Sequence, residues 1–434
     1  MEKISIIGSG YIGLVTGACF AKFGHQIIFN DVNQQMLDDL NKGIIPIHEA
    51  GLKELIDDGF QKKLISTTTD KRQAVNNSDI IMMCLPTPPK KDGNADLKYI
   101  RNVSKEIGAI MNSSKIIINK STSPVGTSKM IREIIRHYYH GEFHMVSIPE
   151  FLQEGKAVET FINGDRQVLG FENLGNHALI ERMKKLFSDL NGEIVLTDTK
   201  TAEFSKYVSN AFLALEISFI NSLTSICEKL KIDILDVSKI LKLDKRIGEK
   251  AFLNPGPGYG GMCFPKDVLS IVGISDRFGY TNKLLEVVTE INVRQKEQVF
   301  RKIISVPGLN KESRITILGL AFKKDTSDVR ESQSKTVIEK LLENGYQNIT
   351  VYDPVAMPNF KKFNLPISYA DSIENSLVHS DCLVIMTEWD DFKSIDLAEI
   401  KKLMSSPNII DSRNLLPMGQ ARSLGFYYMG MGRN

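Results

Sequence analysis

ISIIGSGYIGLVTGACFAKFGHQIIFND, residues 4–31, decides the fold of this chain. It reads as a strand (4–8), a helical stretch (12–24) and a second strand (26–31). Gly8, Gly10 and Gly13 stand directly between the first strand and the helix. In a turn of this kind the first glycine permits the tight bend and the second lets a pyrophosphate approach the backbone. The third allows the helix to pack closely on the strand. Tyr11 and Ile12 complete the GSGYIG turn, and the helix N-terminus that follows attracts phosphate charge. Asp31 closes the second strand, about 20 residues beyond the glycines, where a carboxylate hydrogen-bonds a ribose diol and repels a 2′-phosphate. The unit therefore predicts an NAD site rather than an NADP site.

Outward from this unit, SDIIMMCLP (78–86), KIIINKS (115–121) and MVSIP (145–149) are further strands. Strands alternating with helices predict a mostly parallel sheet covered on both faces. The pattern changes near residue 200. Thr201 to Leu230 contains no Gly or Pro, and Phe204, Val208, Phe212, Leu215, Phe219 and Leu223 recur at helical spacing, which predicts one long helix. More helix is expected to about 247, then a loop NPGPGYGG (254–261), then helix from about 266 to 302. RITILGL (314–320), NITVYDP (348–354), DCLVIMTEW (381–389) and NIIDSRN (408–414) restore the strand pattern. The expected architecture is α/β: two Rossmann-like parallel-sheet domains joined by a long central helix and an all-α dimerisation segment. The expected boundaries are 1–198, 199–302 and 303–434. The second glycine turn, GLAFKKD (319–325), lacks the dinucleotide spacing and predicts a Rossmann-type unit holding something other than NAD.

Composition sets the class. The 434 residues are 42% hydrophobic and 24% charged, with a net charge of +2. The basic residues are scattered as pairs, so neither a nucleic-acid tail nor a membrane patch is expected. No unbroken apolar run approaches the roughly 18 residues a bilayer span needs, and MEKISIIGSG lacks the apolar region of a signal peptide. Cys19, Cys84, Cys227, Cys263 and Cys382 include no CxxC pair. An odd number of scattered cysteines predicts free thiols in a reducing cytoplasm.

Four of these cysteines sit in apolar helix or strand patterns and read as buried, inert thiols. Cys263 lies instead in NPGPGYGGMCFPKDV (254–268), with Lys266 and Asp267 just beyond it. Glycine loops bring backbone close to ligands, and a nearby cation raises the thiolate fraction of a thiol. The residues alone leave a nucleophile and an ordinary buried cysteine both open. No zinc motif is present, since HEAGL (48–52) has Leu where a second His would stand, and no metal is expected.

GSGYIG, HEAGL, PTPPKKDGNADLKYI (86–100), STSPVG (121–126) and PEFLQEG (149–155) occur in order. So do EFSKYVSNAFLALEISFINS (203–222), DKRIGEKAFLNPGPGYGGMCFPKD (244–267) and GLAFKKDTSDVRES (319–332). In this combination the whole chain resembles the UDP-glucose/GDP-mannose dehydrogenase family, on its UDP-glucose branch. The resemblance implies a homodimer and an NAD-dependent, four-electron oxidation of UDP-glucose to UDP-glucuronate. Cys263 matches the family nucleophile, and Lys206 and Asn210 match contacts of the reacting C6 oxygen. Asp267 matches a water-ordering carboxylate, Glu150 the base for thioester hydrolysis, and Thr122 a residue near the nicotinamide. Glu154, Thr87, Lys266 and Arg330 match cofactor contacts. Glu150, Phe151, Leu152 and Glu154 also line the implied sugar site. Phe252, Leu253, Asn254, Gly256, Gly260, Lys323 and Arg413 match further substrate contacts, and Arg246 an arginine that reaches the neighbouring subunit's substrate.

Plain alternatives stand beside these roles. Lys206 has the alternative of a solvated helix lysine, which the otherwise apolar FSKYVSNAF around it disfavours; Asp267 also reads as a helix cap and Glu150 as an exposed loop acid. Met262, Ser123, Ile148, Pro257 and Tyr259 depart from the family pattern and leave sugar preference open. The rival readings are a dehydrogenase of UDP-N-acetylhexosamine or GDP-mannose, a two-electron hydroxyacid-type dehydrogenase, and a non-catalytic NAD-binding protein.

Overall fold

A computed structural model describes residues 1–88, 90 and 95–433. Pro89 and residues 91–94, within the PTPPKKDGNADLKYI motif, lie outside the described residues, as does Asn434. The chain divides into two compact units, Met1–Ser209 and Asn210–Asn434.

The first unit carries one eight-stranded sheet. Its strands are β1 (Lys3–Ile7), β2 (Gln26–Asn30), β3 (Ile65–Thr68), β4 (Ile80–Met83), β5 (Ile116–Asn119), β6 (His144–Ser147), β7 (Arg166–Phe171) and β8 (Glu193–Asp198). They lie in the order β3-β2-β1-β4-β5-β6-β7-β8. Only the β6–β7 pair is antiparallel. Parallel strands need crossover helices, which cover both faces and demand apolar residues on each side of the strand. The strand β4 shows this alternation. Ile80 and Met82 join the cluster containing Ile4, Ile6, Phe20 and Phe29, whereas Ile81 and Met83 join the one containing Ile7, Ile117 and Ile131. Each such side chain contributes about 1.5–3 kcal/mol by leaving water.

The second unit carries β9 (Ile315–Leu318), β10 (Ile349–Tyr352), β11 (Ser368–Tyr369), β12 (Cys382–Ile385), β13 (Asn408–Asp411) and β14 (Tyr427–Gly430). All of its pairings are parallel, in the order β11-β10-β9-β12-β13-β14. The first six strands of the other sheet follow the same sequence of positions. In each sheet the strand order reverses beside the first strand, and ligands of such sheets bind at that switch point, beyond the carboxyl ends of the strands.

The expected long helix is present with one interruption. It runs over Thr199–Ser222 and resumes at Thr224–Leu230. At the break, Leu223 N–H bonds the Ile220 carbonyl, three residues back, and the Thr224 hydroxyl donates to the Asn221 carbonyl at 2.8 Å. Hydroxyl back-bonding competes with the helical ladder and bends it. The full stretch of 32 residues has the length and apolar composition of a bilayer span, although Glu203, Lys206 and Glu216 interrupt it. Its buried residues include Ala202, Tyr207, Ala211 and Ala214, while Phe204, Val208, Phe212 and Phe219 are exposed.

The helix expected over 266–302 is instead two, Phe264–Arg277 and Lys283–Ile304. Gly279 adopts a left-handed φ of 72° between them, and the Asn282 side chain caps the second at Leu285 N–H. The helix expected to about 247 is Ile234–Leu243.

Candidate active site

The glycine turn is shaped for a dinucleotide. Gly8 has φ +100°, and a Cβ on Gly13 would stand 2.0 Å from the Gly8 carbonyl oxygen. A side chain at either position would break the turn. A Cβ on Gly10 would meet nothing within 4 Å, and this residue caps the Tyr11–Lys22 helix without a side-chain hydrogen bond. The chain at Gly10 therefore leaves room beside the helix N-terminus, as the approach of a pyrophosphate requires. Asp31 accepts from Ser9 N–H through Oδ2 at 2.8 Å and from Asn33 N–H through Oδ1 at 3.0 Å. Its partly buried carboxylate stands at the end of β2, next to the turn. These residues fit NAD.

The second sheet has an aspartate at the same place, Asp353, after β10. It is fully buried. Its oxygens accept from the N–H groups of Leu320, Ala321, Val355 and Ala356 and from Trp389 Nε1. This carboxylate organises the 319–321 turn and has no face left for a ribose.

Several expected site residues of the first unit come together. Glu150 Oε1 and Lys206 Nζ form an ion pair at 3.0 Å, with side chains 6% and 5% exposed. The two bland readings, exposed loop acid and solvated helix lysine, are therefore wrong for these residues. Burial alone would push the Glu150 carboxyl up. The Lys206 charge and hydrogen bond, the Leu152 N–H and the more distant Lys120 together hold it below its ordinary value. Lys206 Nζ also lies 5.5 Å from the centre of the Phe151 ring. The Thr87 hydroxyl donates to the Thr122 carbonyl at 2.7 Å, joining two expected cofactor residues from different loops. Leu152 and Glu154 are partly buried along the same 150–155 segment.

Two residues of this unit had no assigned role in the sequence reading. Lys120 is buried, and the loss of water holds its ammonium pKa below the ordinary value. Glu49, inside HEAGL, accepts from Tyr11 OH, from Gly155 N–H at 2.9 Å and from Ala157 N–H at 2.7 Å. It ties the glycine turn to the segment that carries Glu150. Each lies inside a quoted stretch, HEAGL or KIIINKS, but no local spacing assigns it a role.

In the second unit Cys263 is exposed and the other four cysteines are buried. Burial pushes the thiols of Cys84 and Cys382 to about 12 and that of Cys19 to about 12 as well, which keeps them protonated and inert. Cys263 caps the Phe264–Arg277 helix, so Asp267 is not the cap but lies in its first turn. Asp267 is fully buried. Its Oδ2 accepts from Asn210 Nδ2 at 2.6 Å and its Oδ1 from Lys266 Nζ at 2.6 Å.

The remaining expected residues of this unit are spread around the 252–261 loop and the second sheet. Phe252 and Asn254 are exposed, and Leu253, Gly256 and Gly260 are buried. Arg413 lies beside Gly256 and donates to the carbonyls of Met386 and Phe322. Lys323 stands over the Phe322 ring at 5.8 Å. Arg330 pairs with Asp328 at 2.7 Å, and its carbonyl accepts from Gly261 N–H. Arg246 is exposed and pairs with Asp244 at 2.6 Å. Tyr259, one of the departures from the family pattern, is buried and packs edge-on against Phe264. Burial pushes its hydroxyl to about 12, against a hydrogen bond with Thr289. It packs inside the loop and helps to anchor it.

Comparison with protein families decides the identity. The NAD-binding domain of the UDP-glucose/GDP-mannose dehydrogenase family matches residues 2–191, its central domain 200–294 and its UDP-binding domain 316–418. The chain belongs to the UDP-glucose/GDP-mannose dehydrogenase family. It is an NAD-dependent dehydrogenase, and NAD is its cofactor. UDP-glucose 6-dehydrogenases of Bacillus subtilis and Rhizobium meliloti are each 38% identical to it. The alignments span 100% of this chain and 94% of the Bacillus protein, and 99% of both chains for the Rhizobium protein. The solved UDP-glucose dehydrogenase of Pyrobaculum islandicum superposes with a TM-score of 0.92 at 29% identity, covering 100% of this chain and 98% of that one. The two-sheet α/β fold of this dehydrogenase agrees with the architecture expected from its sequence.

Proposed function

We propose that this dehydrogenase oxidises UDP-glucose at C6 to UDP-glucuronate through a thioester on Cys263. The observation that carries the reading is the exposed Cys263 at a helix N-terminus, one turn before the buried Asp267 that Asn210 binds. Full-length similarity to UDP-glucose 6-dehydrogenases supports the choice of sugar nucleotide.

NAD, when bound, would accept the hydride of each oxidation, with a second NAD replacing the first NADH between them. In the first, the C6 hydroxyl gives up its proton to a water ordered by Asp267 as the aldehyde forms. The Cys263 thiolate then adds to the aldehyde carbon, giving a tetrahedral thiohemiacetal with a negative oxygen. Lys206 and Asn210, one turn apart on the Thr199–Ser222 helix, stabilise that oxygen. Loss of the second hydride leaves the thioester. Glu150, held as a carboxylate by Lys206, takes a proton from the water that attacks the carbonyl. The acid leaves and the Cys263 sulfur is released.

In this reading Gly8, Gly10, Tyr11, Ile12, Gly13, Asp31, Thr87, Thr122, Glu154, Lys266 and Arg330 hold NAD. Phe151, Leu152, the 252–256 segment, Gly260, Lys323 and Arg413 hold the sugar nucleotide. The domains are 1–198, 199–302 and 303–434. The exposed Phe204, Val208, Phe212 and Phe219 form the seam of a homodimer in the cytoplasm, and Arg246 serves the partner's site.

A panel of nucleotide sugars assayed with NAD tests the proposal. Two NADH per UDP-glucose are expected. A yield of one rejects the thioester route, and turnover of UDP-N-acetylmannosamine without UDP-glucose rejects the substrate.

A further inference from the structure

The backbone of the 256–261 loop is gripped from within the second unit by four neutral carboxamides. Asn221 Oδ1 accepts from Gly256 N–H at 2.9 Å, and Gln295 Nε2 donates to the Gly256 carbonyl at 2.9 Å. Gln333 Nε2 donates to the Gly258 carbonyl at 2.9 Å. Asn292 takes both polar groups of one residue. Its Oδ1 accepts from Tyr259 N–H at 2.7 Å, and its Nδ2 donates to the Tyr259 carbonyl at 3.0 Å. All four side chains are buried, Asn292 at 7% exposure and the others at 1–2%.

A buried loop backbone must find partners for its N–H and C=O groups. A glycine-rich loop has no side chains with which to supply them. The carboxamides do so from the helices Thr199–Ser222, Lys283–Ile304 and Gln333–Glu343. Asn292 and Gln295 are three residues apart and so share one helix face. The fit at Asn292 also dictates the loop sequence. Gly258 has φ +102°, and a Cβ there would stand 2.4 Å from Asn292 Oδ1. The asparagine fills the space that a side chain at 258 would need, and it grips the next residue at both ends. Two N–H···O bonds to one peptide residue fix its orientation as well as its position, as paired bonds do in a strand ladder. Cys263 follows four residues later, after Gly260 and Gly261.

We propose that Asn292 is a positioning residue for Cys263: by locking the Tyr259 backbone it sets where the following turn delivers the sulfur. The inference rests on the reading of Cys263 as the nucleophile. A reaction needs its attacking atom placed closely, and a displacement of about 1 Å costs up to about 100-fold in rate. A group that holds a flexible loop in its reactive shape before substrate arrives removes that loss.

The test uses the full-length protein, with Asn292→Ala and the isosteric Asn292→Asp, which retains the acceptor and loses the donor. Three quantities are read: the rate of Cys263 alkylation by iodoacetamide, located by peptide mass spectrometry; the KM values for UDP-glucose and NAD; and the melting temperature. Both variants are expected to change the alkylation rate about fivefold or more and to raise the UDP-glucose KM or lower kcat about tenfold. The KM for NAD is expected to change less than the UDP-glucose parameters, because among its proposed contacts Lys266 and Arg330 alone adjoin this loop. A purely structural role would lower the melting temperature and leave alkylation and the sugar parameters of the folded protein at wild-type values. That result in either variant overturns the proposal. Alkylation does not depend on turnover, so it judges Asn292 even if the wild-type protein proves not to oxidise UDP-glucose.

Discussion

Asn210 and Asp267 meet at 2.6 Å, and Lys266 occupies the other carboxylate oxygen. The aspartate is fully buried and the lysine nearly so. Removing one partner of such a pair strands the other charge, at a cost of about 3–5 kcal/mol. Asp267→Asn is therefore expected to lower unfolding free energy by about 3 kcal/mol, read by urea denaturation. Its turnover should fall by about 100-fold or more, as for loss of a group acting on the developing charge. Adding Lys266→Met should restore stability and leave turnover low. Recovery of both would show that Asp267 serves stability alone.

On the proposed route, Glu150→Gln leaves both oxidations intact and removes the base for thioester hydrolysis. A covalent adduct of the glucuronyl ester on Cys263 is expected in the intact mass after mixing with UDP-glucose and NAD. Steady-state turnover should fall by about 100-fold or more, within the usual contribution of a general base. Slow turnover with no adduct would move Glu150 out of this step.

The same carboxylate has a pH signature. Its pKa is held below the ordinary 4.5, chiefly by the Lys206 charge acting against burial. A lowered folded pKa contributes stability that is fully present above 4.5 and disappears as pH falls through the folded value. The stability gap between wild type and Glu150→Gln should therefore be constant at neutral pH and shrink below 4.5. Asp411 behaves oppositely. Burial raises its pKa above 3.8, so its stabilising contribution is greatest below 3.8 and is lost as pH rises through the folded value. Chemical denaturation of wild type, Glu150→Gln and Asp411→Asn across the acid range checks both signs.

Much of this was legible beforehand, and the failures have physical causes. The glycine turn and Asp31 could be read because their chemistry is local: strand, turn, helix and carboxylate follow one another within one supersecondary unit. Lys206 was suspect because FSKYVSNAF is otherwise apolar around it. β3, β7, β8, β11 and β14 were not read as strands; β8 is largely exposed and β11 has only two residues. The break at 278–282 lay under an apolar pattern that continues across it, although Gly279 and Asn282 mark it. Glu49 and the carboxamides around Gly256 to Tyr259 were invisible for a different reason. Their partners lie 33 to 108 residues away, and no spacing rule connects them.

Asp31→Ser removes the group that would favour the ribose diol and repel a 2′-phosphate. The KM for NAD should rise about tenfold, and activity with NADP should increase relative to NAD. Unchanged cofactor preference would place the discrimination elsewhere.

Phe212 and Phe219 are 57% and 49% exposed on the central helix. Burying such side chains against a partner contributes about 1.5–3 kcal/mol each. Phe212→Glu with Phe219→Glu is expected to shift sedimentation from dimer to monomer at micromolar concentration. A wild-type monomer would contradict the seam itself.

The saturated Asp353 sets a limit on redesign. An engineer who grafted the N-terminal glycine fingerprint onto 319–324 would inherit the same strand order and still lack an adenosine pocket. That carboxylate already serves five donors, and releasing it would dismantle the bend it braces. The two halves share a wiring diagram, yet they are not interchangeable parts.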